Sequence, residues 1–385
     1  MKSQFLVNPF EELNITSTDR VRLEDLANEC ITSNLELYTK FVANKKHTMD
    51  PSRWKLIKEG ENLKVFSERL GRPPSTGNKE LTGSGLPMLL CIGKMEGSLD
   101  DLMFGVTSED LETMRIKASY VGDASRAAVL EDVVLPTEEK PFQSLVLKWM
   151  EIDIPFCSTN LVKDRDYVYL EGTGYVMNSR GERIGYHLLH SVAFRQTCVL
   201  PNRVRGNLSN ITFWRQAGPN TIEMYGTSIM DPVDMGFIRK LVVPTMADAL
   251  LSSLKYVYCG QMRKLTFMLD RKYVESKLRG APSKVRICTT CTVPVTNRRF
   301  SDFGKSSSTC KLCFGFVCSG CKIVRKLSFV DLDMQLTQCK VSFCIGCTSE
   351  VSCMSAIDVA RARISAHQLF GERSSTIRSL AASYS

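Results

Sequence analysis

Four Cys-x2-Cys pairs have the residue type and spacing for metal chemistry: Cys288/Cys291, Cys310/Cys313, Cys318/Cys321 and Cys344/Cys347. A two-residue step lets two thiolates grip one ion, and the eight sulfurs, with gaps of 18, 4 and 22 residues between pairs, suffice for two tetrahedral zinc sites. Four such ligands leave Zn2+ no open position for water or substrate, so the array reads as structural rather than catalytic. Thioredoxin-like redox chemistry uses one such motif in a βαβ setting, and four in series argue for metal. Cys339 and Cys353 stand outside the pairs, and either could replace a ligand if the last pair were misassigned.

Of 15 cysteines, five precede Cys288 and ten lie from Cys288 to Cys353, a distribution that favours bound metal over a disulfide framework. The opening residues, Met1 to Pro9, turn polar too early for a secretory h-region, and no apolar run approaches the roughly 20 residues of a membrane span. The expected location is therefore cytoplasmic, peripheral on endosomal or other membranes. The sequons at Asn14, Asn207 and Asn210 read as chance matches.

The 385 residues have room for two domains, and a 43% hydrophobic content supports a packed core. Residues 283–350 hold ten Lys/Arg against four Asp/Glu, so most of the net +9 lies near the C-terminus and points to an anionic partner. Eight thiolates with two Zn2+ would cut that segment's +6 to about +2, which leaves weak attraction.

The elements that must carry these features begin with an amphipathic helix from about Thr18 to Val42, whose Leu23, Leu26, Cys30, Leu37 and Phe41 suit packing on the main domain. Asn8-Pro9-Phe10 ahead of it matches a short adaptor-binding peptide, but a loop tripeptide is the default reading. From Trp54 to about Tyr273 there are strand-like runs, among them Leu63–Phe66, Met88–Ile92, Leu145–Met150 and Asp166–Leu170, several alternating as antiparallel strands with one wet face do. Two short helices fall between the second and third runs, the later marked by Thr107 and Asp110 as mutual caps. A long helix from Phe237 past Val257, with Pro244 bending it or fixing its first turn, closes the segment. Helix, strands, two helices, strands and long helix make an α+β domain.

That order, with Trp54-Lys55-Leu56, Leu63-Lys64-Val65-Phe66 and Lys163-Asp164-Arg165-Asp166-Tyr167-Val168, resembles the START lipid-binding family over residues 50–275. The resemblance implies a helix-grip fold, an antiparallel sheet around a long C-terminal helix, enclosing one hydrophobic lipid and catalysing no reaction. A lipid tail held inside avoids about 0.8 kcal/mol per exposed CH2. Alternation puts Asp164 and Asp166 on one face and Arg165 on the other; a solvent ion pair at the sheet edge is the plainer reading, a buried head-group anchor the sharper one. His187 and His190, three apart on a strand, point opposite ways, which speaks against a shared metal. No Ser-His-Asp set, P-loop or dinucleotide turn stands out, so no enzyme is expected.

The spacing Cys310-x2-Cys313-x4-Cys318-x2-Cys321, with its outer pairs, resembles FYVE-type zinc fingers over residues 283–350. By that resemblance the finger is cross-braced: Cys288, Cys291, Cys318 and Cys321 would hold one zinc, and Cys310, Cys313, Cys344 and Cys347 the other. The family binds phosphatidylinositol 3-phosphate through a basic, two-histidine string, where this chain has Ser306-Ser307-Ser308-Thr309-Cys310-Lys311. The upstream Trp-x-x-Asp is missing too, and Ser342-Phe343-Cys344 replaces Arg-Val-Cys, so phosphoinositide binding should be weak. Arg298, Arg299, Lys305 and Lys311, with Phe300 and Phe303, form a candidate membrane rim; the plainer reading puts both rings in the small core between the zinc sites. RING fingers, the other cross-braced class, usually include a histidine ligand absent here.

After a helix capped by Ser355-Ala356-Ile357-Asp358 and ending near Phe370, the tail to Ser385 is Ser/Ala-rich, with the composition of a disordered segment. The expected organisation is a helical extension (1–49), a START-like domain (50–275), a degenerate FYVE-type finger (283–350) and a tail (351–385). The expected partners are a hydrophobic lipid, an anionic membrane surface and other proteins, without nucleic acid. The alternative is a scaffold for trafficking or ubiquitin pathways that holds no lipid.

Overall fold

The computed structural model describes residues 8–43, 49–69, 88–122, 126–152, 163–231, 237–279, 285–295, 308–331 and 334–370. The chain divides into two compact units, Met1–Val257 and Tyr258–Ser385.

In the first unit α1 (Ser17–Ala43) precedes β1 (Trp54–Gly60), β2 (Leu63–Glu68) and β3 (Leu89–Glu96). Then come α2 (Leu99–Val106), α3 (Leu111–Val121) and seven strands: β4 (Arg126–Val134), β5 (Ser144–Ile152), β6 (Asp164–Met177), β7 (Arg183–Ser191), β8 (Arg203–Arg205), β9 (Asn207–Gly218) and β10 (Thr221–Asp231). Among the described residues these strands form one sheet in the order β1-β2-β3-β10-β9-β7-β6-β5-β4, antiparallel throughout, with β8 paired parallel to β6.

The terminal helix is not the single rod that the apolar pattern suggests. It runs as α4 (Phe237–Leu251), a 3-10 turn (Ser252–Lys255) and α5 (Tyr256–Arg279). Pro244 sits inside α4, and the break comes eight residues later, at the 3-10 turn. The caps also differ from the sequence reading. Asp110 and Thr113, not Thr107 and Asp110, form the capping box of α3, while the Thr107 hydroxyl donates to Met103 O at 2.8 Å.

The expectation of one wet sheet face fails at the centre. β5, β6 and β7 are buried on both faces, because α1 covers the face that alternation leaves opposite the other helices. Leu23, Ala27, Cys30, Ile31 and Tyr38 of α1 join Leu145, Leu147, Trp149, Val168, Leu170, Ile184, Leu188 and Phe213 in one core, each large side chain contributing about 1.5–3 kcal/mol. Tyr38 stacks on Phe213 with ring centroids 5.5 Å apart. Phe10 meets Trp149 edge-on at 6.2 Å, so the ring of Asn8-Pro9-Phe10 packs on the sheet.

The opposite, inner face receives α2. A Cβ at Gly185 of β7 would lie 2.7 Å from Met103 Sδ, so the missing side chain is what lets α2 approach the sheet. Tyr256, at the start of α5, also reaches this face, edge-on to His187 and Trp214.

In the second unit, after α5, the chain forms β11 (Ser308–Thr309), β12 (Phe316–Val317), the hairpin of β13 (Lys322–Val330) and β14 (Leu336–Cys344), α6 (Ile345–Cys353) and α7 (Ala356–Phe370). Asp358 N donates to Ser355 Oγ at 3.2 Å, the cap expected there. Lys264 of α5, 1% exposed, donates to Ser352 O and Met354 O at 2.9 and 3.0 Å. A buried cation thus meets the negative end of α6. Among the described residues no helix is long and apolar enough to cross a membrane.

Candidate functional site

Two features of the described residues can do chemistry. The first is the cysteine array. Cys288, Cys291, Cys318 and Cys321 converge, as do Cys310, Cys313, Cys344 and Cys347, each set with its sulfurs within 4.8 Å of one another. First and third pairs meet, and so do second and fourth. Cys339 (β14, buried) and Cys353 (end of α6, exposed) belong to neither set.

A tetrahedral ion with bonds of about 2.3 Å to sulfur requires sulfur–sulfur edges of about 3.8 Å. Cys291 Sγ and Cys318 Sγ are 3.7 Å apart, Cys313 Sγ and Cys344 Sγ 3.9 Å. Local backbone supports the same reading. Thr292 and Phe314, each directly after the second cysteine of a pair, adopt φ +58°, and their amides donate to Cys288 O and Cys310 O at 2.9 Å. Left-handed geometry is uncommon for a non-glycine residue and an outlier for β-branched threonine; it costs on the order of 1–3 kcal/mol and persists where surroundings over-determine it. Amides also point at sulfur, Cys318 N at Cys288 Sγ (3.4 Å) and Cys347 N at Cys344 Sγ (3.3 Å). The two sets could each hold one metal ion.

Of the candidate membrane rim, Arg298, Arg299, Phe300, Phe303 and Lys305 lie outside the described residues. Lys311 is half-buried, its amide bonded to Ser342 O at 3.1 Å.

The second feature lies on the inner sheet face, where β5, β6 and β7 and helix α3 bring four titratable groups together. Glu171 of β6 is the hub: Oε1 lies 2.7 Å from both Lys117 Nζ (α3) and His187 Nε2 (β7), and Oε2 accepts from Lys148 Nζ (β5). The Ser108 hydroxyl donates to Oε2 at 3.4 Å and accepts from Lys148 at 3.1 Å. All four charged or titratable side chains are at most 7% exposed. Burial opposes the Glu171 charge, yet the Lys117 and Lys148 ammoniums hold its pKa well below the usual carboxylate range. Burial pushes Lys148 and His187 down, against the pull of the same carboxylate; the imidazole is neutral at pH 7, its Nε2–H donated to Glu171.

Beside the cluster, His187 stacks on Trp214 of β9, and the indole Nε1–H, fully buried, finds no acceptor among the described residues. A buried donor left without a partner costs about 1–3 kcal/mol.

Sequence reasoning weighed His187 only against His190 and missed Lys117, Lys148 and Glu171. The signal was a charge inside an apolar strand, Lys148 between Leu147 and Trp149 and Glu171 after Leu170. His190 points away, as alternation requires, to Ser209 Oγ at 3.0 Å. The solvent-pair reading of Asp164–Asp166 is corrected. Asp166 is fully buried and accepts from Arg205 at 2.8 Å and from Trp149 Nε1 at 3.0 Å, and Arg165 is 1% exposed. The string enters the sheet with both flanks covered, which makes Asp166 a packing group on the α1 face.

No protein-family model matches the chain, and no curated protein does. Solved structures similar to it include human StAR-related lipid transfer protein 5, at 12% identity and TM-score 0.43, over 63% of this chain and 97% of that one. Human STARD10 is similar at 12% identity and TM-score 0.36, over 65% and 84%. The lipid transfer and protein localization domain of human StarD13 is similar at 12% and 0.36, over 58% and 95%.

Proposed function

We propose that this chain is a non-enzymatic lipid-binding protein of the cytoplasm. Its first unit is read as a helix-grip domain that holds one hydrophobic ligand against the inner sheet face. Its cysteine-rich part is read as a cross-braced, FYVE-type finger with two structural zinc ions, which contacts a membrane or another protein.

The observation that carries the ligand reading is the Trp214 Nε1–H beside the Glu171 cluster, a buried donor without an acceptor among the described residues. A lipid carbonyl or hydroxyl oxygen would satisfy that donor. The zinc reading rests on the two convergent four-cysteine sets and their strained turns.

The alternative, a scaffold without lipid, has its own support: both Glu171 oxygens are already engaged by the protein's own side chains. Native mass spectrometry of the full chain purified from cells decides between them. Two zincs plus a lipid mass is the expected result; two zincs with no lipid would transfer the assignment to the scaffold, and fewer than two would end the two-zinc reading.

A further inference from the structure

The β13–β14 hairpin presents two unlike faces. Ile323, Arg325, Leu327, Phe329, Cys339, Val341 and Phe343 alternate onto one, all buried but the half-buried Ile323 and Arg325, with exposed Thr337 at its far end. Onto the other fall Lys322, Val324 and Lys326 from β13, and Lys340 and Ser342 from β14, an open stretch bounded by buried Cys344 at one end and by buried Ser328 and Val330 at the other. Lys326 faces Lys340 directly across the ladder, and both are exposed. Like charges directly opposite each other destabilise a hairpin. Among the described residues neither lysine has a carboxylate partner to relieve the repulsion.

The metal sites do not account for this pair. Each four-cysteine set with a divalent ion has a formal charge of −2, and the cations beside the second set are Lys311, next to Cys310, and Lys322, opposite Cys344. Lys326 lies four residues further along β13, about 13 Å away at the usual strand rise and beyond the screening length of about 8 Å in physiological salt. Between the lysines, Val324 is 42% exposed on the same face. The register puts no aromatic ring beside Lys326 and Lys340 among the described residues, so nothing there could stack on nucleic-acid bases.

We infer that the open stretch of this face docks on an anionic lipid bilayer, with Lys326 and Lys340 at the head groups and Val324 towards the interface. A shallow face with cations around one apolar side chain, and without converging donors, suits a charged surface rather than one head group. The inference deepens the membrane half of the proposed function and is independent of whether the first unit holds a lipid.

The test is sedimentation of the zinc-loaded full chain with phosphatidylcholine vesicles, with and without phosphatidylserine, and with phosphatidylinositol 3-phosphate matched for charge. Binding should require anionic lipid, respond equally to both anionic compositions and fall steeply with salt. Lys326→Gln/Lys340→Gln should bind about 30-fold more weakly, while Lys326→Arg/Lys340→Arg keeps affinity. Both variants should keep two zincs and melt no lower than the parent; if the Gln pair fails to fold, Lys340→Gln alone should still bind about fivefold more weakly. Vesicle binding unchanged by these substitutions, absent altogether, or outcompeted by RNA would overturn the inference. Loss of co-purified lipid from the first unit would leave it standing.

Discussion

His187 Nε2 lies 2.7 Å from Glu171 Oε1, linking β7 to β6 across the inner sheet face. The same oxygen accepts from Lys117, so the imidazole sits among charges while itself neutral. Its position decides how stability responds to acid.

Burial lowers the His187 pKa from the ordinary 6.5. Below 6.5 the unfolded chain takes up a proton that the folded chain refuses, so stability is full above 6.5 and is lost as pH falls towards the depressed folded value. The lowered Glu171 pKa acts in the same direction, starting near its ordinary 4.5. Chemical denaturation of His187→Gln should therefore show a shallower loss than the parent just below pH 6.5 and a similar one at lower pH. Parallel curves throughout would mean that His187 is hydrated.

Glu171→Gln should lower the unfolding free energy by about 3–5 kcal/mol, because it leaves two buried ammoniums without their shared counter-charge. Zinc content should be unchanged, since the substitution is in the other unit. A loss below about 1 kcal/mol would show that solvent reaches Lys117 and Lys148.

The sequence and the structure agree where the signal is local. Cysteine spacing groups the eight sulfurs in pairs, and the structure gathers those same eight; α1 runs Ser17–Ala43 where apolar periodicity places Thr18–Val42. The hub at Glu171 was hidden because its partners come from 54 and 23 residues upstream and 16 downstream. No local period links such groups; only the register of β5, β6 and β7 and the docking of α3 bring them together. Alternation along β5 and β6 does place Lys148 and Glu171 on the same face, a relation readable in sequence once the strands are known to be neighbours. The two-sided burial of the central strands escaped for a related reason, since which face α1 covers is a tertiary fact.

Cys318→Ser and Cys347→Ser should each cost one metal ion, and the double variant both, because the two residues belong to different sets. Metal analysis of the purified variants reads this directly. Loss of both ions from either single variant would show one cooperative site; loss of none would show that Cys339 or Cys353 can substitute.

Thr292 should tolerate glycine at a position where most substitutions gain nothing. Its φ of +58° costs a β-branched residue on the order of 1–2 kcal/mol that glycine escapes, against about 0.5–1 kcal/mol from the greater freedom of glycine in the unfolded chain. Its side chain is exposed, and among the described residues its hydroxyl bonds only the neighbouring Cys291 O, at 2.7 Å. Thr292→Gly should therefore hold zinc as tightly as the parent or up to about fivefold more tightly in chelator competition, the equivalent of about 1 kcal/mol. Thr292→Val, equally strained, should show no gain. A weaker glycine variant would mean that the turn is held by its side chain and not by the metal, and would remove the backbone argument for the first four-cysteine set.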